Sequence, residues 1–366
     1  MARKRKIDKV FAALVAVLIV LGFFLFASAA LGLLEKDSAN FSTVFSKQAL
    51  LGLLCGLIIL IVLSKVHYQK YRKYAFYIFL ASLFVSCLVF VPGLGIEHAN
   101  AKRWLSIAGF SAQPAEFLKL GFVIYFAALL SSFRPKLQQW KYSICPVISL
   151  LAVIFVISFY QPDYGTFLII GATALGMLWA AGVSFKHILI IISTAALAIV
   201  PLALCRAYIW ERILTFISPA QNGLSSGYQI KQSLIAIGSG GLFGKGFGKS
   251  VQKFGLLPEP MGDSIFAVTA EEWGFIGASF LILLFLLFAF RGLKIASRST
   301  DMFGGLLVTG IVILIVSQSF INIGSMLGIF PIIGMPLLFV SQGGTALLFT
   351  LAEAGIILNV SKYKRS

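Results

Sequence analysis

Asp263 follows Leu257-Pro258-Glu259-Pro260 and immediately precedes the apolar run Ser264-Ile265-Phe266-Ala267-Val268, so its carboxylate stands where a membrane helix meets water. Two roles suit it there: an N-cap accepting a backbone N–H, or a general base at the water–lipid boundary. Spacing alone leaves both open. Glu116 and Lys119 lie three apart behind Pro114, share a helix face and pair as ions; between membrane helices such a pair lines a cavity rather than facing lipid. Asp163, in the short turn Gln161-Pro162-Asp163-Tyr164-Gly165-Thr166, reads first as a helix cap. From Gly238 to Lys249, glycines alternate with aromatics and with Lys245 and Lys249, a composition that lets backbone N–H and ammonium groups approach a phosphate. The spacing of a nucleotide P-loop is absent. Lys102, Arg103, Arg212 and Lys231 add cations outside the apolar runs, and the set suits an anionic, lipid-linked substrate.

The elements that must hold these groups are membrane helices. Of 366 residues, 59% are hydrophobic and 12% charged, too few charges to cover a water-soluble surface. About ten stretches are long enough to span. They run near 10–34, 49–63, 74–91, 116–130, 142–160, 166–181, 187–204, 265–290, 303–323 and 337–360. The first is too long for a cleaved signal peptide. An all-α polytopic fold follows, forming one domain over 1–366.

The net charge of +17 sits in short runs between apolar stretches instead of on one nucleic-acid-binding face, so no nucleic acid is expected. Arg3 to Lys6 open the chain, and Lys65 to Lys73, Arg134 to Lys141, Lys186, Arg291 to Arg298 and Lys362 to Arg365 follow the even-numbered spans. By the positive-inside rule both termini are cytoplasmic. The loops near 35–48, 92–115, 161–165, 205–264 and 324–336 then face out, the largest being 205–264 between the seventh and eighth spans. Of the 13 carboxylates only Asp8 and Asp301 fall inside, which puts the acid–base chemistry outside. Cys55, Cys87, Cys145 and Cys205 have no CxxC spacing, so neither a disulfide framework nor a metal site is expected from them.

Several motifs in order resemble the SEDS family (shape, elongation, division, sporulation) of FtsW, RodA and SpoVE: Lys102-Arg103-Trp104-Leu105, Gln113-Pro114-Ala115-Glu116, Gln161 to Thr166, and Tyr228-Gln229 with Gln232 to Ala236. Leu257-Pro258-Glu259 through Asp263, Glu271-Glu272, Asn322-Ile323-Gly324, Gly334 to Leu337 and Ser341 to Gly344 continue the match over about residues 100 to 350. The stretch around Leu257 and Glu271 is closer to the FtsW branch. Two positions depart: Met261-Gly262 stand where the family often has His-Thr, and Gln342 where an aromatic is common.

The resemblance implies a bacterial peptidoglycan glycosyltransferase of the cytoplasmic membrane, polymerising lipid II on the outer face beside a class B penicillin-binding protein and other divisome or elongasome proteins. It makes Asp263 the catalytic carboxylate and Arg103, Glu116, Lys119, Asp163 and Gln229 cavity residues. With Arg212, Lys231 and Lys245 these form the expected binding set for lipid II and the undecaprenyl-linked glycan. Cations or a divalent ion such as Mg or Mn would neutralise the leaving pyrophosphate. The rival classes are a transporter or flippase, for which Glu353 is the deep carboxylate, and a non-catalytic scaffold.

Overall fold

The computed structural model describes residues 6–34, 38–98, 101–107, 110–194, 212, 214–216 and 226–363. Helices dominate: α1 (Lys9–Leu34), α2 (Ser38–Lys47), α3 (Cys55–Lys65), α4 (Gln69–Cys87), α5 (Pro114–Ser132), α6 (Trp140–Tyr160) and α7 (Tyr164–Ala180) come first. There follow α8 (Phe185–Thr194), α9 (Ser226–Ser239), α10 (Ile265–Ser297), α11 (Met302–Met326) and α12 (Gly344–Val360). A π-helical stretch, Gln48–Leu54, joins α2 to α3. Among the described residues, 7 helical segments are long and apolar enough to cross a membrane, and α7, α8 and α12 are shorter apolar helices. Each expected span contains one of them, so the chain is a multi-pass membrane protein. The end of the seventh expected span, with Cys205, lies outside the described residues, whereas Cys55, Cys87 and Cys145 are free thiols.

The helices are apolar on every side because one face meets lipid and the other meets protein. On α1, Val10, Val17, Val20 and Phe24 are exposed while Phe11, Val15, Leu18, Leu25 and Phe26 are buried. At the centre, α11 packs against α10, α7 and α5, and α12 packs against α3. Asp8 ties the two chain ends to one side of the bundle, since its backbone N–H donates to Ser361 Oγ and its carboxylate takes a bidentate grip from Arg291.

The mostly helical fold carries one small addition. The 92–115 loop contains a three-stranded antiparallel sheet in the order β1 (Gly95–His98), β2 (Ala101–Ile107), β3 (Phe110–Ala112), so the fold is not wholly helical. Strand alternation matters for the site: Arg103 and Leu105 share a face of β2, and Leu105 is buried.

Helix α10 is broken at Gly274, whose φ is 67°. The break leaves helix groups without their usual partners, and the glycine-rich run supplies replacements. Lys245 and Gly246 N–H donate to the carbonyls of Glu271 and Glu272 at 3.0 and 2.9 Å, and Phe275 and Ile276 N–H donate to those of Gly241 and Leu242 at 2.8 and 3.2 Å. Two N–H groups of this run, those of Lys245 and Gly246, are thereby taken up by the helix. Gly244, with φ +79°, lies where a Cβ would stand 2.1 Å from Glu272 O. Gly244→Ala should lower stability by about 1–3 kcal/mol, read as a lower unfolding midpoint in detergent.

Candidate functional site

Asp263 is positioned by its backbone. The carbonyl of Met261 accepts from Gln342 N–H at 2.7 Å, that of Gly262 from Ser341 Oγ at 2.7 Å, and that of Asp263 from Asn322 Nδ2 at 2.8 Å. Three successive carbonyls are thus held by the end of α11 and the segment between α11 and α12. Asn322 Nδ2 also donates to Met335 O at 2.7 Å, tying that segment to the same point. On the near side, Gly262 and Ser264 N–H both donate to Glu259 O at 3.1 and 3.0 Å, closing a tight turn. The N-cap of α10 is Ser264. Its hydroxyl donates to Pro258 O at 2.8 Å and accepts from Gln229 Nε2 at 2.9 Å.

The cap reading of Asp263 therefore falls, and among the described residues its carboxylate makes no hydrogen bond. Around it stand Glu259, Arg212 and Arg103. Gly334, at φ +74°, leaves the approach open: a Cβ there would lie 3.5 Å from Asp263 Oδ2 and 3.9 Å from Arg212 Nη2. Arg212 is anchored through Nη1 to Ile332 O. Arg103 reaches from β2 to the carbonyls of Gln161 and Pro162. Burial, then the Glu259 charge, raise the Asp263 carboxyl, opposed by Arg212 and Arg103, to a pKa of about 6.

The other expected residues divide. Gln229 adjoins Asp263 through Ser264, while Lys231 is exposed on α9. Asp163 is the N-cap of α7, accepting from Thr166 N at 3.3 Å and Thr166 Oγ1 at 2.8 Å, so it shapes the turn that Arg103 grips. Glu116 and Lys119 do pair, at 2.8 Å, but in the bundle core: Lys119 Nζ also donates to Gln318 Oε1 at 2.6 Å and is 0% exposed. Glu353 is buried within electrostatic reach of both.

Lys245 pairs with Glu271 at 2.6 Å, eight residues beyond Asp263. That is about 12 Å of helix rise, so Lys245 braces the first half of α10. Beside it Lys253 pairs with Glu272 at 2.7 Å and with Ser28 O of α1 at 3.0 Å. Asn322, Gly334 and Ser341 were legible only as motif members. A side-chain amide within the apolar α11, which also carries Gln318, was the signal for Asn322.

The sequence pattern that defines the FtsW/RodA/SpoVE family, described as "Cell cycle protein", matches residues 8–366. The chain belongs to this family. It is 36% identical over 324 residues to stage V sporulation protein E of Bacillus subtilis, covering 88% of each chain. With a probable peptidoglycan glycosyltransferase FtsW of Geobacter sp. strain M18 it shares 37% identity over 321 residues, again 88% of each. Among solved structures, a chain described under "Structural coordination of polymerization and crosslinking by a peptidoglycan synthase complex" matches with a TM-score of 0.80 at 26% identity, over 98% of this chain and 99% of that one. The rod shape determining protein RodA of Thermus thermophilus matches with a TM-score of 0.72 at 27% identity, over 98% of each. For a family member, the departures at Met261 and Gln342 are harmless to the clamp, because the bond joining them is backbone to backbone.

The two acid–base braces of α10 differ in burial, and this predicts an order of stability. Lys253→Met strands a buried Glu272 and should cost about 3–5 kcal/mol. Lys245, 35% exposed in its side chain, should matter less. Thermal unfolding of both variants in detergent checks the ranking.

Proposed function

We propose that this chain is a peptidoglycan glycosyltransferase that polymerises lipid II at the outer face of the bacterial cytoplasmic membrane. The observation that carries the reading is Asp263: a carboxylate with a held backbone, a side chain without a hydrogen bond among the described residues, and two arginines nearby. The acceptor sugar hydroxyl of lipid II attacks the anomeric carbon of the growing glycan. Its proton passes to Asp263, the new C–O bond forms, and the bond to undecaprenyl pyrophosphate breaks with both electrons leaving on the phosphate. A pKa of about 6 suits such a base, ionised at neutral pH yet still basic enough to accept the proton.

One carboxylate suffices for an inverting transfer, because a pyrophosphate leaves without general-acid help once its charge is neutralised. Arg212 and Arg103 are the cations placed to do so. Among the described residues no three His, Cys, Asp or Glu side chains stand together as a metal site would require, so the arginines are the neutralising groups this site offers. The activity in the names of the FtsW relatives supports the reading, as does the likeness to a chain of a peptidoglycan synthase complex, which also favours a class B penicillin-binding protein as partner.

Lipid II polymerisation with purified protein tests this. Wild type should make polymer and Asp263→Asn none; a transporter or scaffold would give none in either. The base must be deprotonated, so the rate should rise as pH increases through about 6. Arg212→Gln removes a charge that favours the carboxylate, so that limb should move to higher pH. A membrane-impermeant thiol reagent should label Met261→Cys in intact cells; a cytosolic position there would end the proposal.

A further inference from the structure

We infer that Gln48 is a positioning residue for Asp263, acting across the bundle through the segment Ser341–Gly343. The inference rests on the reading of Asp263 as the base.

Gln48 opens the π-helical stretch between α2 and α3, in a span that otherwise largely faces lipid. It is nonetheless only 3% exposed. A primary amide in such a place is costly unless both of its ends are satisfied. Both are: Nε2 donates to Ser341 O at 3.3 Å and Oε1 accepts Gly343 N–H at 3.0 Å. The two contacts bracket Gln342. Ser341 and Gln342 are the residues that grip the carbonyls of Gly262 and Met261, at 2.7 Å each. Gln48 thus holds the clamp that holds the catalytic loop. Its reach depends on close packing one turn on, where a Cβ on Gly52 would stand 3.3 Å from Gly344 Cα at the start of α12. π-Helical turns recur at functional sites, and this one turns a polar side chain inward from a lipid-facing span.

Without the Gln48 amide, Ser341 O and Gly343 N–H lose their partner and the clamp can shift. Proton transfer needs the carboxylate within about 2.6–3.2 Å of the hydroxyl, whereas the phosphate-facing Arg212 and Arg103 are anchored to the carbonyls of Ile332 and Gln161 and not to Ser341 or Gln342. The chemical step should therefore suffer while binding does not. The isosteric Gln48→Met removes both hydrogen bonds and keeps the volume. In lipid II polymerisation it should lower kcat about tenfold with KM within about twofold of wild type. A looser loop is also less buried, so the acidic limb of the pH profile should move below about 6.

Ser341→Ala cuts the same path at its far end, so the double variant should be little worse than the poorer single one. Wild-type kcat in Gln48→Met, an unshifted limb, or fully multiplicative effects would each overturn the inference while Asp263→Asn stays inactive. Polymer from Asp263→Asn would remove the base itself, and the inference with it. If Gln48→Met does not accumulate, Gln48→Glu, which keeps the acceptor for Gly343 and loses the donor to Ser341, carries the same comparison.

Discussion

Everything chemically distinctive in this protein depends on three consecutive backbone carbonyls, those of Met261, Gly262 and Asp263, being held from outside their own segment. A carboxylate at a helix entrance would ordinarily turn back to cap the helix. Here Ser264 occupies that position, and the clamp fixes the main chain while the Asp263 carboxylate has no hydrogen-bond partner among the described residues. The result is a group kept basic by its surroundings and kept available by its backbone. The cations nearby are anchored through carbonyls in the same way, Arg212 to Ile332 and Arg103 to the turn before α7.

The clamp is only as rigid as its supports. Asn322 stands on α11, the central helix, and Ser341 and Gln342 lead into α12. From the other side, the first half of α10 is braced by Lys245 and Lys253 and spliced into the glycine-rich segment at Gly274. A break in a helix normally exposes unpaired backbone groups, which is intolerable next to lipid. The splice satisfies them and lets the helix change course while still entering the membrane.

Much of this was readable beforehand. The spans were legible because hydrocarbon imposes a length and an apolar composition that few other constraints imitate. Asp263 was legible as a residue at a boundary, but two adjacent residues, Asp263 and Ser264, can both cap, and spacing does not choose between them. The sheet at 95–112 escaped notice because its strands have 3 to 7 residues and their partners are set by pairing, which no local period reveals. The glycine-rich run around Lys245 reads two ways for a physical reason as well. Glycines that let a phosphate approach a backbone are the same glycines that let one chain segment approach another, and only the neighbour tells them apart.

The pairing of Glu116 with Lys119 bears on biogenesis. Both charges belong to one helix and lie one turn apart, so they neutralise each other as soon as that helix winds, before any neighbour arrives. A translocon handing α5 to the bilayer thus releases a segment whose charges are already cancelled, and Gln318 completes the coordination only when α11 joins the bundle. An ion pair split between α5 and α11 would instead leave each helix carrying a naked charge during insertion. Keeping the partners on one helix frees the order of assembly from that barrier.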